Sequence, residues 1–319
     1  VKVILPAEIY RELEPQLPPD IVVVPVDGDG NLEGDATDAE VYFSWFYLKP
    51  TTLHRVLDAA PRLRWHHAPN AGVNHILTPK YLERDLILTN GAGVHGIPIA
   101  EFVIAYILSY TKQLPRFYNL QTERNWQRNW QRNWQVQELL DKTLLIIGAG
   151  GIGQEIAVRA KAFGMRIWGS SRHPRPLPNF DQVVGANEWK ELLPEVNFVV
   201  IATPLTPQTK GLIDAETLRL FRPDAYLINI ARGAIVDESA LTQALQEGWI
   251  AGAALDTVFT EPLPPESPLW SLPNIFITPH SSGNSPRVKE RTIALFLDNF
   301  TRYLQGQPLR NVVDRTAGY

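Results

Sequence analysis

The chain has 319 residues, of which 45% are apolar and 20% charged, with a formal charge of −4 from 30 basic and 34 acidic side chains. That length holds about two domains with a buried core in each, and the composition excludes a disordered chain. The balanced charge offers no basic field for nucleic acid or anionic lipid, and the lack of any cysteine excludes disulfides, thiol nucleophiles, iron–sulfur clusters and zinc–thiolate sites.

Over the first ninety residues, short apolar runs at 1–5, 21–26, 41–45, 63–66 and 86–88 read as buried strands flanked by Pro, Gly, Asp or Asn. Helices are expected over 7–17 and 51–60. This alternation predicts a parallel sheet covered on both faces. An apolar helix follows over 99–114, with Pro98 in its first turn and Pro115 as its stop. Its most apolar part, near 102–110, is about half of the ~20 residues that cross a bilayer. The N-terminus meets Glu8 and Arg11 too soon for a signal peptide, so a soluble cytoplasmic protein with no membrane contact is expected.

Residues 124–135 contain Arg-Asn-Trp-Gln three times in a row, a period too short for a solenoid. If helical, Trp126, Trp130 and Trp134 drift only about 80° in total and form one stripe, which is expected to pack in or beside a homodimer interface. A second series follows, with strands at 143–147, 166–168, 198–202, 226–229, 252–255 and 275–277. Its helices are expected at 151–163, 214–220 and 239–247, and a long amphipathic helix covers 285–305.

Two regions carry chemistry. Gly148, Gly150 and Gly153 have G-x-G-x-x-G spacing between a strand and a helix, the context in which a pyrophosphate sits on a helix N-terminus. A site preferring NAD places an acid at the end of the next strand, yet no acid lies between Glu155 and Asp181. Ser171 stands there, followed by Arg172 and Arg175, and guanidinium groups bind a 2′-phosphate that a carboxylate would repel. NADP(H) is therefore the expected cofactor, with NAD(H) possible. Further on, Arg232, Glu261 and His280 follow apparent strand ends, where ligands of open parallel sheets bind. Arginine clasps a carboxylate, histidine moves a proton, and a carboxylate beside it fixes the ring and favours its charged form. With a nicotinamide, that set reduces a small 2-oxo acid. His66, His67, His75 and His95 show no metal-ligand spacing and are given no catalytic role, and no metal is expected.

The segments 148–153, 202–207 (Ala-Thr-Pro-Leu-Thr-Pro), 228–237, 254–256 with Glu261-Pro262, and 278–280 (Thr-Pro-His) resemble, in order and spacing, the D-isomer-specific 2-hydroxyacid dehydrogenase family. The resemblance covers nearly the whole chain. It implies an α/β protein of two doubly wound parallel-sheet domains, Rossmann-like and flavodoxin-like. The substrate domain is discontinuous, from 1–93 and 285–319, around a dinucleotide domain at 94–284. It implies a cofactor set of Gly148, Gly150, Gly151, Ile152, Gly153, Ser171, Arg172, Arg175, Thr203, Pro204, Ala231, Asp256 and His280. Arg232 would bind the substrate, His280 would give the proton, and Glu261 would be its partner. Ala71, Gly72 and Val73 match a loop whose amides hold the substrate carboxylate, and Trp45 is expected to cap the pocket. The region 98–140 matches the family's dimerisation region. The Ser171-Arg172 pair is most similar to NADP-dependent glyoxylate and hydroxypyruvate reductases, while Glu261 speaks against the formate dehydrogenase branch, which has glutamine there. The tripled tetrapeptide departs from the family pattern. Alternatives within the fold are a dinucleotide-sensing corepressor and a phosphoglycerate- or phosphite-type dehydrogenase.

Overall fold

A computed structural model of the chain describes every residue except Tyr47, Asn74, 127–135 and 316–319. The chain divides into two compact units, Val1–His95 with Ser285–Tyr319, and Gly96–Asn284. Trp130 and Trp134 of the expected stripe lie outside the described residues.

In the first unit, β1 (Lys2–Pro6), β2 (Val22–Val26), β3 (Val41–Phe43), β4 (Trp65–His67) and β5 (Ile87–Thr89) form a parallel sheet ordered β2-β1-β3-β4-β5. Alternate side chains serve two cores, as the pleat requires. Ile4, Val24 and Tyr42 join Leu53, Val56 and Leu57 of α2 (Pro50–Ala59) on one face. Val3, Leu5, Val41, Phe43 and Trp65 line the other face. There they meet Ile293, Phe296 and Phe300 of the helix Val288–Leu304, which is α9 in chain order. The spacing of these three residues puts them on one helical stripe. Phe296 stacks on Phe43 at 4.4 Å between ring centres and on Trp65 at 5.6 Å.

Two expected helices differ. The helix over 7–17 shrinks to α1 (Tyr10–Leu13), followed by a 3₁₀ turn at Glu14–Gln16. Pro15 explains this, because its ring would clash with the carbonyl one turn back in a continuous helix. A short α3 (Pro79–Leu82), capped by the Thr78 hydroxyl, completes this unit.

In the second unit, α4 (Gly96–Thr111) ends before the expected stop, and α5 (Leu114–Thr122) begins after Gln113, whose φ is 53°. Pro115 therefore opens a helix instead of ending one, in the first turn where its missing N–H costs nothing. The sheet contains β6 (Thr143–Ile147), β7 (Arg166–Ser171), β8 (Gln182–Gly185), β9 (Phe198–Ile201), β10 (Tyr226–Asn229), β11 (Gly252–Leu255) and β12 (Ile275–Ile277). All pairs are parallel, in the order β12-β11-β10-β9-β6-β7-β8. The edge strand β8 carries little apolar signal of its own and gains its conformation by pairing with β7.

Leu145, Ile147, Val199, Ile201 and Leu227 face a core shared with α8 (Glu238–Glu247) and α7 (Ala215–Leu218). Leu144, Ile146, Phe198, Val200 and Ile228 face α4 and α6 (Gly151–Lys161). Burial on both faces explains why these strands read as unbroken apolar runs.

Candidate active site

The chain runs from β6 outward to β7 and β8, then returns to the other side of β6 with β9. That reversal is the switch point at which open α/β sheets bind ligands. The glycine turn occupies it. Gly148 has a φ of 107°, and a Cβ there would come within 2.7 Å of the Ala202 carbonyl group after β9. A Cβ on Gly153 would meet the Gly148 carbonyl oxygen at 2.4 Å, so helix and strand approach only with glycine. Around Gly150 and Gly151 the corresponding space is open. Gly150 provides no side-chain cap, which leaves the first amides of α6 directed at whatever binds in that space. This cradle fits a dinucleotide pyrophosphate. Ile152 is half-buried behind it, and Thr203 and Pro204 follow β9 at the same end of the sheet.

Beside the cradle lies a cavity of about 270 Å³ lined by Ala149, Gln154, Ser171, His173, Arg175 and Leu177. Ser171 is the last residue of β7, and its hydroxyl accepts from the His173 amide at 3.3 Å. Arg172 is exposed in the same turn. Gln154 and His173 were not singled out from the sequence. His173 lies between the two arginines, so its place in the turn was available as a signal.

The other candidates also follow strands at the C-terminal edge. Buried Asn229 ends β10 and brackets the next turn, with its side-chain amide donating to the Arg232 carbonyl at 2.9 Å and its oxygen accepting from the Ala231 amide at 3.0 Å. Arg232 is exposed, and its Nη1 donates to the Ala231 carbonyl. Gly233 then passes so close to Val258 that a Cβ would overlap its carbonyl group at 2.0 Å. The Val258 amide in turn donates to Glu261 Oε1 at 3.3 Å. Glu261 Oε2 accepts from His280 Nδ1 at 2.7 Å. A carboxylate only accepts, so Nδ1 carries hydrogen and Nε2 is the nitrogen left for proton transfer. Among the described residues, no group of three or more His, Asp or Glu could hold a metal ion.

His280 sits in a turn gathered around Asp256, which is buried just past β11. The Asp256 carboxylate accepts from the Thr278 hydroxyl at 2.6 Å, the Ser281 amide at 2.8 Å and the Ser282 amide at 3.0 Å. Its backbone carbonyl accepts from the His280 amide at 2.8 Å.

In the first unit, the loop after β4 is braced by the segment after β5. Asn90 donates to the Ala71 carbonyl at 2.8 Å, and the Gly91 amide donates to the Asn70 carbonyl at 3.0 Å. Ala71 is exposed, Gly72 intermediate and Val73 buried. Trp45, after β3, is half-buried edge-on to Phe43 and Phe46 at 5.7 and 4.9 Å.

Comparison with known proteins agrees with this geometry. The sequence pattern of the family described as "D-isomer specific 2-hydroxyacid dehydrogenase, NAD binding domain" matches residues 104–282. A glyoxylate reductase of Korarchaeum cryptofilum is 33% identical over 265 residues, covering 82% of this chain and 79% of that protein. A D-isomer specific 2-hydroxyacid dehydrogenase of Xanthobacter autotrophicus, solved with NADPH and MES, superposes with a TM-score of 0.85 at 29% identity, over 100% of this chain and 99% of that one. An NADPH-dependent glyoxylate/hydroxypyruvate reductase of Sinorhizobium meliloti, solved with NADP and sulfate, gives 0.82 at 27% identity, over 100% and 99%. With a matching NAD-binding region and a relative aligned over most of both proteins, the chain belongs to the D-isomer specific 2-hydroxyacid dehydrogenase family.

Proposed function

We propose that the protein reduces a small 2-oxo acid of the glyoxylate or hydroxypyruvate class to the D-2-hydroxy acid, with NADPH preferred over NADH. The observation that carries this reading is the 2.7 Å clasp of His280 by Glu261, on the sheet edge that also bears the glycine cradle. A protein that only senses dinucleotide would turn over no 2-oxo acid, so turnover separates that reading from this one.

The cofactor would lie along Gly148, Gly150, Gly151, Ile152 and Gly153, with Thr203, Pro204, Ala231 and Asp256 toward its nicotinamide end. Ser171, Arg172 and Arg175 would take the 2′-phosphate, for which the adjoining cavity has room. When bound, reduced nicotinamide supplies hydride to the substrate carbonyl carbon. Arg232 holds the substrate carboxylate through paired N–H donors and polarises the carbonyl. His280 Nε2 gives a proton to the carbonyl oxygen as it becomes alkoxide, while Glu261 accepts from Nδ1–H throughout and keeps the ring oriented.

The test is NADPH and NADH oxidation with glyoxylate, hydroxypyruvate, its 3-phosphate and pyruvate, on native protein and His280→Ala. Native turnover with a small 2-oxo acid and a loss of about 10²-fold or more in the variant is expected. Failure to turn over any of them, or full turnover by the variant, overturns the reading. Faster turnover of the phosphorylated substrate would favour a phosphoglycerate-type enzyme.

A homodimer through the region 98–140 belongs to the same proposal. Helix α5 buries none of its residues, Leu114 and Tyr118 are exposed, and Trp126 just beyond it is 92% exposed. Exposed apolar surface of this kind finds partners. Leu114→Asp combined with Tyr118→Asp should lower the mass seen by sedimentation, and an unchanged mass would remove this surface from the interface.

A further inference from the structure

We propose that Tyr106 of α4, which lies outside every motif of the site, is a positioning residue for His280, a role that rests on reading His280 as the proton donor. The tyrosine heads a hydrogen-bond chain that holds the histidine's turn in place. Tyr106 is 3% exposed, and its hydroxyl is bonded to the Thr278 hydroxyl, 172 residues away in sequence. Thr278 has one hydroxyl proton and gives it to Asp256 Oδ1 at 2.6 Å. The Tyr106 O–H is therefore the donor to Thr278, and the chain runs in one direction, from tyrosine to threonine to carboxylate. Such chains strengthen link by link, because each hydroxyl polarises the next.

The end of this chain organises the turn around His280. The Asp256 carboxylate accepts from the amides of Ser281 and Ser282, and its backbone carbonyl accepts from the amide of His280. His280 has a φ of 50°, a left-handed conformation that residues with a side chain adopt only where their surroundings over-determine it. Asp256 is the common partner of these constraints. At 1% exposure it has little solvent to replace a lost donor, so each hydrogen bond it accepts bears on the turn.

The tyrosine is itself well fixed. Its ring lies edge-on to Phe102 at 5.8 Å and tilted against Phe276 at 5.9 Å. Burial, opposed in part by the hydrogen bond to Thr278 and reinforced by the Asp256 charge, pushes its phenol up to about 12. It remains a donor across the range in which such an enzyme works.

Tyr106→Phe keeps the ring and removes the donor, Thr278→Val removes the middle link, and Thr278→Ser retains it. In Tyr106→Phe, kcat should fall about three- to ten-fold, the effect of one hydrogen bond, with KM for NADPH and for the 2-oxo acid nearly unchanged. Thr278→Ser should restore the kcat that Thr278→Val loses. The double variant Tyr106→Phe/Thr278→Val should be no slower than Thr278→Val alone, since both act through one chain. Amide hydrogen exchange over 278–284 should quicken in Tyr106→Phe, whether or not a substrate is turned over. Native kcat together with native exchange in Tyr106→Phe overturns the proposal, as does a double variant in which the two losses multiply. If the native protein turns over no 2-oxo acid, the functional reading fails, and the exchange comparison alone decides whether Tyr106 holds the turn.

Discussion

His66 and His67 stand side by side on β4, both buried, and they make this strand sensitive to acid. The His66 ring stacks on Tyr42 at 4.7 Å, with Nε2 on the Ser44 hydroxyl at 2.9 Å and Nδ1 on the Tyr81 hydroxyl at 3.2 Å. His67 reaches the Thr89 hydroxyl through Nδ1 at 2.7 Å, while its Nε2 has no hydrogen-bond partner among the described protein atoms. Burial holds both imidazoles down to about 3 from the ordinary 6.5, with the charge of neighbouring His67 and His75 opposing protonation of His66 further. Unfolding releases them to take up protons below pH 6.5 while the folded chain stays neutral, so stabilisation is whole above that pH and is lost progressively as pH falls toward 3. At about pH 5 the loss is roughly 2 kcal/mol for each ring and about 4 kcal/mol for both. His75, whose imidazole is also lowered by desolvation, adds in the same direction. Asp27, Asp35 and Asp38, held low by their hydrogen bonds, act only below about pH 4. His66→Gln retains a donor and an acceptor without a titrating ring. It should lose about 2 kcal/mol less than native protein between about pH 7.5 and about pH 5. Because two units need not unfold together, stability is best read from the protection of β4 amides against hydrogen exchange, corrected for intrinsic rates. Equal losses in native protein and variant, or no loss in native protein, would refute the reasoning.

Three further outcomes are expected. Ser171→Asp puts a carboxylate at the end of β7, beside the cavity with Arg175, and should raise KM for NADPH about ten-fold or more relative to NADH in steady-state kinetics. Glu261→Gln leaves a neutral partner that no longer dictates which His280 nitrogen carries hydrogen. It should lower kcat about 10- to 100-fold with little change in KM for NADPH, and an unchanged kcat would remove Glu261 from the mechanism. Phe296→Ala empties the space between Phe43 and Trp65 and should cost about 3–5 kcal/mol in denaturant unfolding; a cost below about 1 kcal/mol would show that α9 is not anchored there.

Several strands were legible residue by residue. The expected spans at 143–147, 226–229, 252–255 and 275–277 coincide with β6, β10, β11 and β12. Their apolar runs stop at turn-forming residues, and those are local signals. The glycine spacing was legible as a short local pattern between a strand and a helix, in which Gly148 takes a left-handed φ and Gly153 presses on the Gly148 carbonyl about one turn away, while Gly150 leaves open space. Strand β8 was not legible, because a half-exposed edge segment gains its structure from a neighbouring strand. The break at Gln113 was misplaced because Pro115 suits either the end of one helix or the start of the next.

The sequence by itself determined which strands are buried, where a phosphate cradle can form, and that an arginine, a carboxylate and a histidine follow strand ends in a set order. It determined as well that Ser171 stands where an acid would favour the unphosphorylated cofactor. Only the tertiary structure decided that Glu261 Oε2 meets His280 Nδ1 and not Nε2, and that Gly233 presses against Val258. It also brought a tyrosine on α4 to Thr278 on the far side of the chain. The physical reason is range. Periodicity and turn chemistry are set by residues a few positions apart, whereas the partner of a buried polar atom depends on strand order and helix packing across the whole unit.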